Sequence, residues 1–126
     1  MKLEFLPAGS PDCPLLRIFD FSVAEARALR ELCIDLSEGS TAAVSLRDSL
    51  EIIPIDDCSL ALRRSDIDLG IERLTSNVFA CSLTAESWRE VADLIAAFCE
   101  SQSAAEFQWL SEHSEISLLL SSNGQW

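Results

Sequence analysis

Residues 58–72 read CSLALRRSDIDLGIE, and this stretch decides the fold class. Cys58, Leu60 and Leu62 alternate with Ser59, Ala61 and Arg63, and Ile67, Leu69 and Ile71 alternate with Asp68, Gly70 and Glu72. A period of two puts the apolar side chains on one face of a strand and the polar ones on the other. Strands greasy on one face and wet on the other suit antiparallel sheets, because parallel sheets are usually covered on both faces. The four residues Arg63–Asp66 between the two runs are expected to form a hairpin turn.

Working outward, the same pattern recurs. Leu3 and Phe5 begin a short strand, and 15–21 is apolar on both faces, as a central strand would be. Strands are expected over 43–46 and 51–55; Pro54 makes the second an edge or a strand end, because proline has no N–H for a ladder. Phe79, Cys81 and Leu83 form another run, and Phe107/Trp109 and Ile116/Leu118/Leu120 flank a second hairpin turn at Ser111–Ser114.

Two segments have helical spacing instead. In 22–38, Ser22 and Glu25 form a capping box, Ala26, Leu29, Leu32/Cys33 and Leu36 share one face, and Gly39 can end the helix left-handed. In 84–99, Thr84 is the N-cap, Glu86 lies in the first turn, and Trp88, Val91, Leu94/Ile95 and Phe98 form the apolar face. The expected fold is therefore a single α+β domain over 1–126: a curved, mostly antiparallel sheet carrying two amphipathic helices (22–38 and 84–99). Both halves read strand, strand, helix, strand, strand. Ser22 and Thr84, Val44 and Phe107, and Ile52 and Ile116 stand at nearly the same offset. This pattern suggests an internal ββαββ duplication, with pseudo-repeats at about 1–57 and 65–126 and the 58–63 strand as connector.

The chain has 126 residues and a net charge of -12, from 21 acids against nine Lys and Arg. Such a surplus disfavours nucleic-acid backbones and anionic membranes and favours cationic partners or plain solubility. Hydrophobic residues make up 48% and charged ones 24%, too apolar for a solvated acidic tail. The five cysteines, at 13, 33, 58, 81 and 99, show neither CxxC nor zinc spacing and are expected to be free thiols in a reducing cytoplasm. No run is long enough for a signal peptide or a membrane span, and there is no lipidation signal.

Candidate chemistry is sparse, and no catalytic set or cofactor is expected. His113, the one histidine, lies in the Ser111–Ser114 turn between Glu112 and Glu115 and reads as an exposed turn residue. Asp56, Asp57, Asp66, Asp68 and Glu72 are the densest acids. They are the candidate ligands for a hard cation, which wants several oxygens, or else a solvated face neutralised by Arg63, Arg64 and Arg73. Cys13, in a turn-rich loop, is the most exposed cysteine, but its neighbour Asp12 works against thiolate formation. Trp126, following an Asn123-Gly124 turn signal, is expected to dock in a groove of its own domain or of a partner. Trp126, Arg63 and Arg64 are the candidate interaction residues.

The expected function is a non-enzymatic interaction domain that binds a basic protein or assembles with itself. The alternative is a small metal-dependent hydrolase or ligand-binding domain using the acidic 56–72 segment.

Overall fold

The computed structural model describes residues 1–100 and 105–126. The elements run β1 (Lys2–Leu6), β2 (Leu15–Phe19), α1 (Val23–Glu38), β3 (Ala43–Ser45), α2 (Leu46–Ser49), β4 (Ile53–Pro54), β5 (Ser59–Arg64), β6 (Gly70–Arg73), β7 (Val78–Leu83), α3 (Ala85–Ile95), β8 (Phe107–Ser111) and β9 (Ser117–Ser121).

The helices form where the caps require. The Ser22 hydroxyl accepts from the Glu25 N–H while the Glu25 carboxylate accepts from the Ser22 N–H, so two otherwise orphaned donors are satisfied. Gly39, at φ 79°, ends α1 left-handed, and its N–H donates to the Asp35 and Leu36 carbonyls. Thr84 caps α3, which stops at Ile95 and tightens into a 3-10 turn over Ala96–Phe98. The two helices pack against each other. Arg27 and Arg30 of α1 donate to the carbonyls of Cys99 and Ala92, so α1 satisfies acceptors at the end of α3.

The strands form two mixed sheets, not one mostly antiparallel sheet. The first has the order β4-β1-β2-β9-β8 and the second β3-β5-β7-β6. The pairs β1/β2, β8/β9, β3/β5 and β6/β7 are antiparallel, while β1/β4, β2/β9 and β5/β7 are parallel. Arg63–Asp66 is accordingly no hairpin turn: β5 pairs in parallel with β7, and β6 lies on the far side of β7. The physical reason is that alternation specifies which face is buried, not which strand lies alongside. β7 is buried from Phe79 to Leu83, as suits a strand with neighbours on both edges and cover on both faces.

Other expectations shift locally. The strand expected from Ile67 begins only at Gly70, leaving Ile67 62% and Leu69 41% exposed. The 43–46 strand ends at Ser45, where the single-turn α2 begins. The 51–55 strand shrinks to Ile53–Pro54, at the edge of its sheet as Pro54 requires. The Ser111–Ser114 hairpin forms, with a bulge between Trp109 and Ser111.

The two sheets have related connectivity. Substituting β6, β7, α3, β8, β9 for β1, β2, α1, β3, β5, and the reverse, converts the order β1-β2-β9-β8 into β6-β7-β5-β3, which is the second sheet. Parallel β2/β9 becomes parallel β7/β5, and each antiparallel hairpin becomes another. The 58–63 strand is thus an integral member of the second sheet and not a connector.

One apolar cluster draws on both sheets and both long helices, including Leu16, Ile18, Leu29, Leu36, Leu60, Phe79, Trp88, Ile95 and Leu118. Trp88 is fully buried, and its indole N–H donates to the Arg63 carbonyl at 2.8 Å, so its polar atom is not stranded. Phe5 and Phe79, from opposite sheets, meet with ring centroids 4.7 Å apart.

Candidate functional site

The loop 65–69 joins β5 to β6, with the Ser65 and Leu69 N–H groups donating to the Leu83 and Ser82 carbonyls, and its Asp68 side chain reaches α3. Its Oδ1 accepts from the Thr84 N–H at 2.8 Å and its Oδ2 accepts from the Ser87 hydroxyl at 2.8 Å. The carboxylate thus supports the first turn of α3, where a negative charge also meets the positive end of the helix dipole. The Thr84 N–H bond is the chief reason the Asp68 carboxyl is held below its ordinary 3.8.

The 112–115 turn lies beside this loop. The Ser114 hydroxyl donates to the Ile71 carbonyl at 2.9 Å and accepts from the Ile71 N–H at 3.0 Å, joining the two sheets through one residue. Gly70 permits this approach. Its φ is 73°, and a Cβ there would lie 2.9 Å from the Ser114 nitrogen. His113 Nε2 is 3.8 Å from Asp68 Oδ2, and its Nδ1 is 3.1 Å from the Ser111 hydroxyl.

Carboxylate, imidazole and hydroxyl follow one another here as in a nucleophilic triad, but the geometry does not support acyl transfer. The carboxylate is committed to Thr84 and Ser87 and lies too far from the ring for a hydrogen bond, and Ser111 is only 3% exposed. What the arrangement holds rigid is its outer surface: Ile67 and Leu69 in the open, with exposed Asp66, Asp68, Glu112 and Glu115 on the two adjoining segments.

The other candidate residues lie apart from this surface or at its margins. Glu72 is exposed on β6. Asp56 and Asp57 follow β4, both left-handed at φ 53° and 56°, and Asp57 pairs with Arg47 at 3.0 Å. Among the described residues, no three His, Cys, Asp or Glu side chains converge to hold a metal ion. Arg63 and Arg64 are exposed at the end of β5; the backbone of Arg63 holds Trp88, and the Arg64 N–H donates to Ala42.

Trp126 donates its indole N–H to Asp12 Oδ2 at 3.0 Å, and Arg17 donates to the Gly124 carbonyl at 2.6 Å, so the tail docks on its own domain. Cys13 is half-buried, with its sulfur 3.6 Å from the Ser10 hydroxyl.

The sequence reading missed Ser87 and Ser114, the two hydroxyls that organise the site. Neither carries a sequence signal, because both act on residues far away in the chain. The Asp68–Thr84 link had one partial clue, a cap residue with a free N–H and an acid upstream.

Comparison with protein-family models, with curated proteins and with solved structures returns no match. No helix among the described residues is long and apolar enough to cross a membrane.

Proposed function

We propose that this chain is a non-enzymatic interaction domain whose 65–69 loop and 112–115 turn dock a basic, amphipathic segment of a partner protein. The observation that carries this reading is the exposure of Ile67 and Leu69, at 62% and 41%, among four exposed carboxylates. Two aliphatic side chains supply the apolar contact, and the acids steer a cationic partner and fix its register. The whole-chain charge of -12 acts in the same direction at longer range.

The test is capture from lysate on immobilised wild-type protein and on an Ile67→Ser/Leu69→Ser double variant, washed at about 50 and about 500 mM salt, where Debye lengths are about 14 and 4 Å. A basic protein held by the wild type at low salt, released at high salt and not held by the variant supports the reading. Capture indifferent to both changes refutes it.

We also infer that the chain is a duplicated ββαββ unit, with halves at about 1–64 and 70–121. The matching strand orders of the two sheets and the matching caps of α1 and α3 support this. Each sheet takes strands from both halves, so fragments cut within 65–69 should regain structure only when mixed. A half that folds alone would count against the unit as drawn.

A further inference from the structure

At the other end of β6 from the 65–69 loop, the β1–β2 hairpin, the β4–β5 connection and the β6–β7 hairpin line a cleft of about 360 Å³. Phe5, Pro7 and Ile55 form its apolar wall, and Asp56, Arg73 and Asn77 supply its polar groups. The Arg73 guanidinium lies over the Phe5 ring, 4.7 Å from the centroid, and 5.7 Å from that of Phe79, while Nη2 donates to the Ser76 carbonyl at 2.7 Å. These contacts fix the guanidinium but use only part of its donor fork.

In a chain with 21 acids and nine cations, Arg73 belongs to none of the ion pairs among the described residues, and neither does Asp56. The two line one cleft yet are more than 4.0 Å apart, too far to neutralise each other directly. Asp56 is held in a left-handed conformation, φ 53° and ψ 37°, a region that glycine, asparagine and aspartate enter more readily than other residues. The Asn77 amide fixes the adjoining backbone by donating to the Asp57 carbonyl.

We propose that this cleft binds a small zwitterion with an apolar body, the chemistry of an apolar α-amino acid. Its carboxylate pairs with the Arg73 fork, its ammonium with Asp56, and its side chain lies against Phe5, Pro7 and Ile55. Such a ligand brings one charge of each sign to a site that offers one of each. A polyanion or a simple dication would leave one wall group opposed by like charge.

The test uses L-phenylalanine, phenethylamine, which lacks the carboxylate, and 3-phenylpropionate, which lacks the ammonium. Binding is followed by calorimetry and by backbone amide shifts in NMR. The expected result is millimolar or tighter binding of L-phenylalanine, with shifts confined to the segments around residues 56, 73 and 77, and about tenfold weaker binding of either analogue. Arg73→Gln should bring L-phenylalanine down to the level of phenethylamine, and Asp56→Asn to that of 3-phenylpropionate. Asp56 makes no ion pair among the described residues, so the second variant decides the matter even if the first is poorly folded. No shifts with any of the three compounds would overturn the proposal. So would analogues that bind as well as the amino acid, or affinity unchanged in Asp56→Asn.

Discussion

Arg73 of β6 and Phe5 of β1, in different sheets, lie against each other. Phe5 pairs across its hairpin with Leu16, and Arg73 pairs across its hairpin with Phe79. A guanidinium from one sheet covers a ring of the other, 4.7 Å from its centroid, and the Phe5 ring also touches Phe79. Phe5→Leu keeps the apolar bulk but removes both ring contacts. It should lower unfolding stability by about 1–2 kcal/mol in urea denaturation. A loss below a few tenths of a kcal/mol would mean that this contact between the sheets adds nothing.

Asp68 ties the 65–69 loop to α3 through Thr84 and Ser87. Asp68→Ala should destabilise by about 1–2 kcal/mol, as the loss of a capping acceptor does. The carboxyl is held below its ordinary 3.8, so the folded state favours the ionised form. Its contribution is therefore whole above the ordinary carboxyl value and is lost as pH falls through the depressed native one. The stabilities of wild type and variant, measured from pH 7 down to about 3, should converge toward the acid end. Parallel curves would show that the Asp68 charge is not what matters.

Gly70 admits Ser114 at its α-carbon. Gly70→Ala adds a methyl 2.9 Å from the Ser114 nitrogen at a backbone φ of 73°. Thermal melting should show a loss of roughly 1–3 kcal/mol from the strained backbone and the clash. The Ser114 hydrogen bonds to Ile71 should loosen, visible as faster amide exchange at Ile71. A neutral substitution would mean that the two sheets can part here without penalty.

The five cysteines should divide into two classes. Cys33, Cys58 and Cys81 are buried; burial pushes the Cys58 thiol up to about 11 and the Cys81 thiol up to about 12, and raises Cys33 further. Cys13 and Cys99 are only partly covered, although burial raises Cys99 as well. With an aromatic disulfide reagent near neutral pH, Cys13 should react first, Cys99 more slowly, and the other three only on unfolding. Rapid labelling of Cys33 or Cys81 in the native protein would contradict this packing.

Much of the local structure was legible in the sequence. The Ser22–Glu25 box, the Thr84 cap, the helix faces and the edge position of Pro54 follow from interactions within a few residues, where spacing carries the information. Pairing was not legible in the same way. Nothing in CSLALRR indicates that Leu60 lies opposite Phe79 rather than in a hairpin with the run that follows. Ile67 and Leu69 matched a strand pattern, yet Gly70 and the attraction of Asp68 to α3 leave them outside the sheet. The approach of Arg73 to Phe5 depends on how the two sheets pack, which the order of residues alone does not encode.

The pairing of early and late strands in one sheet has a consequence during synthesis. Leu16 of β2 waits for Leu118 of β9, its parallel neighbour, and the first sheet has an open slot until β9 has left the ribosome. β2 carries Leu15, Leu16 and Ile18, all buried in the finished protein, so for that interval the nascent chain displays an adhesive apolar edge. All 21 acids precede β9 in the sequence, so like charge on unfinished copies opposes contact between those edges. The net charge of -12 thus acts on the polypeptide before it has a finished surface to offer.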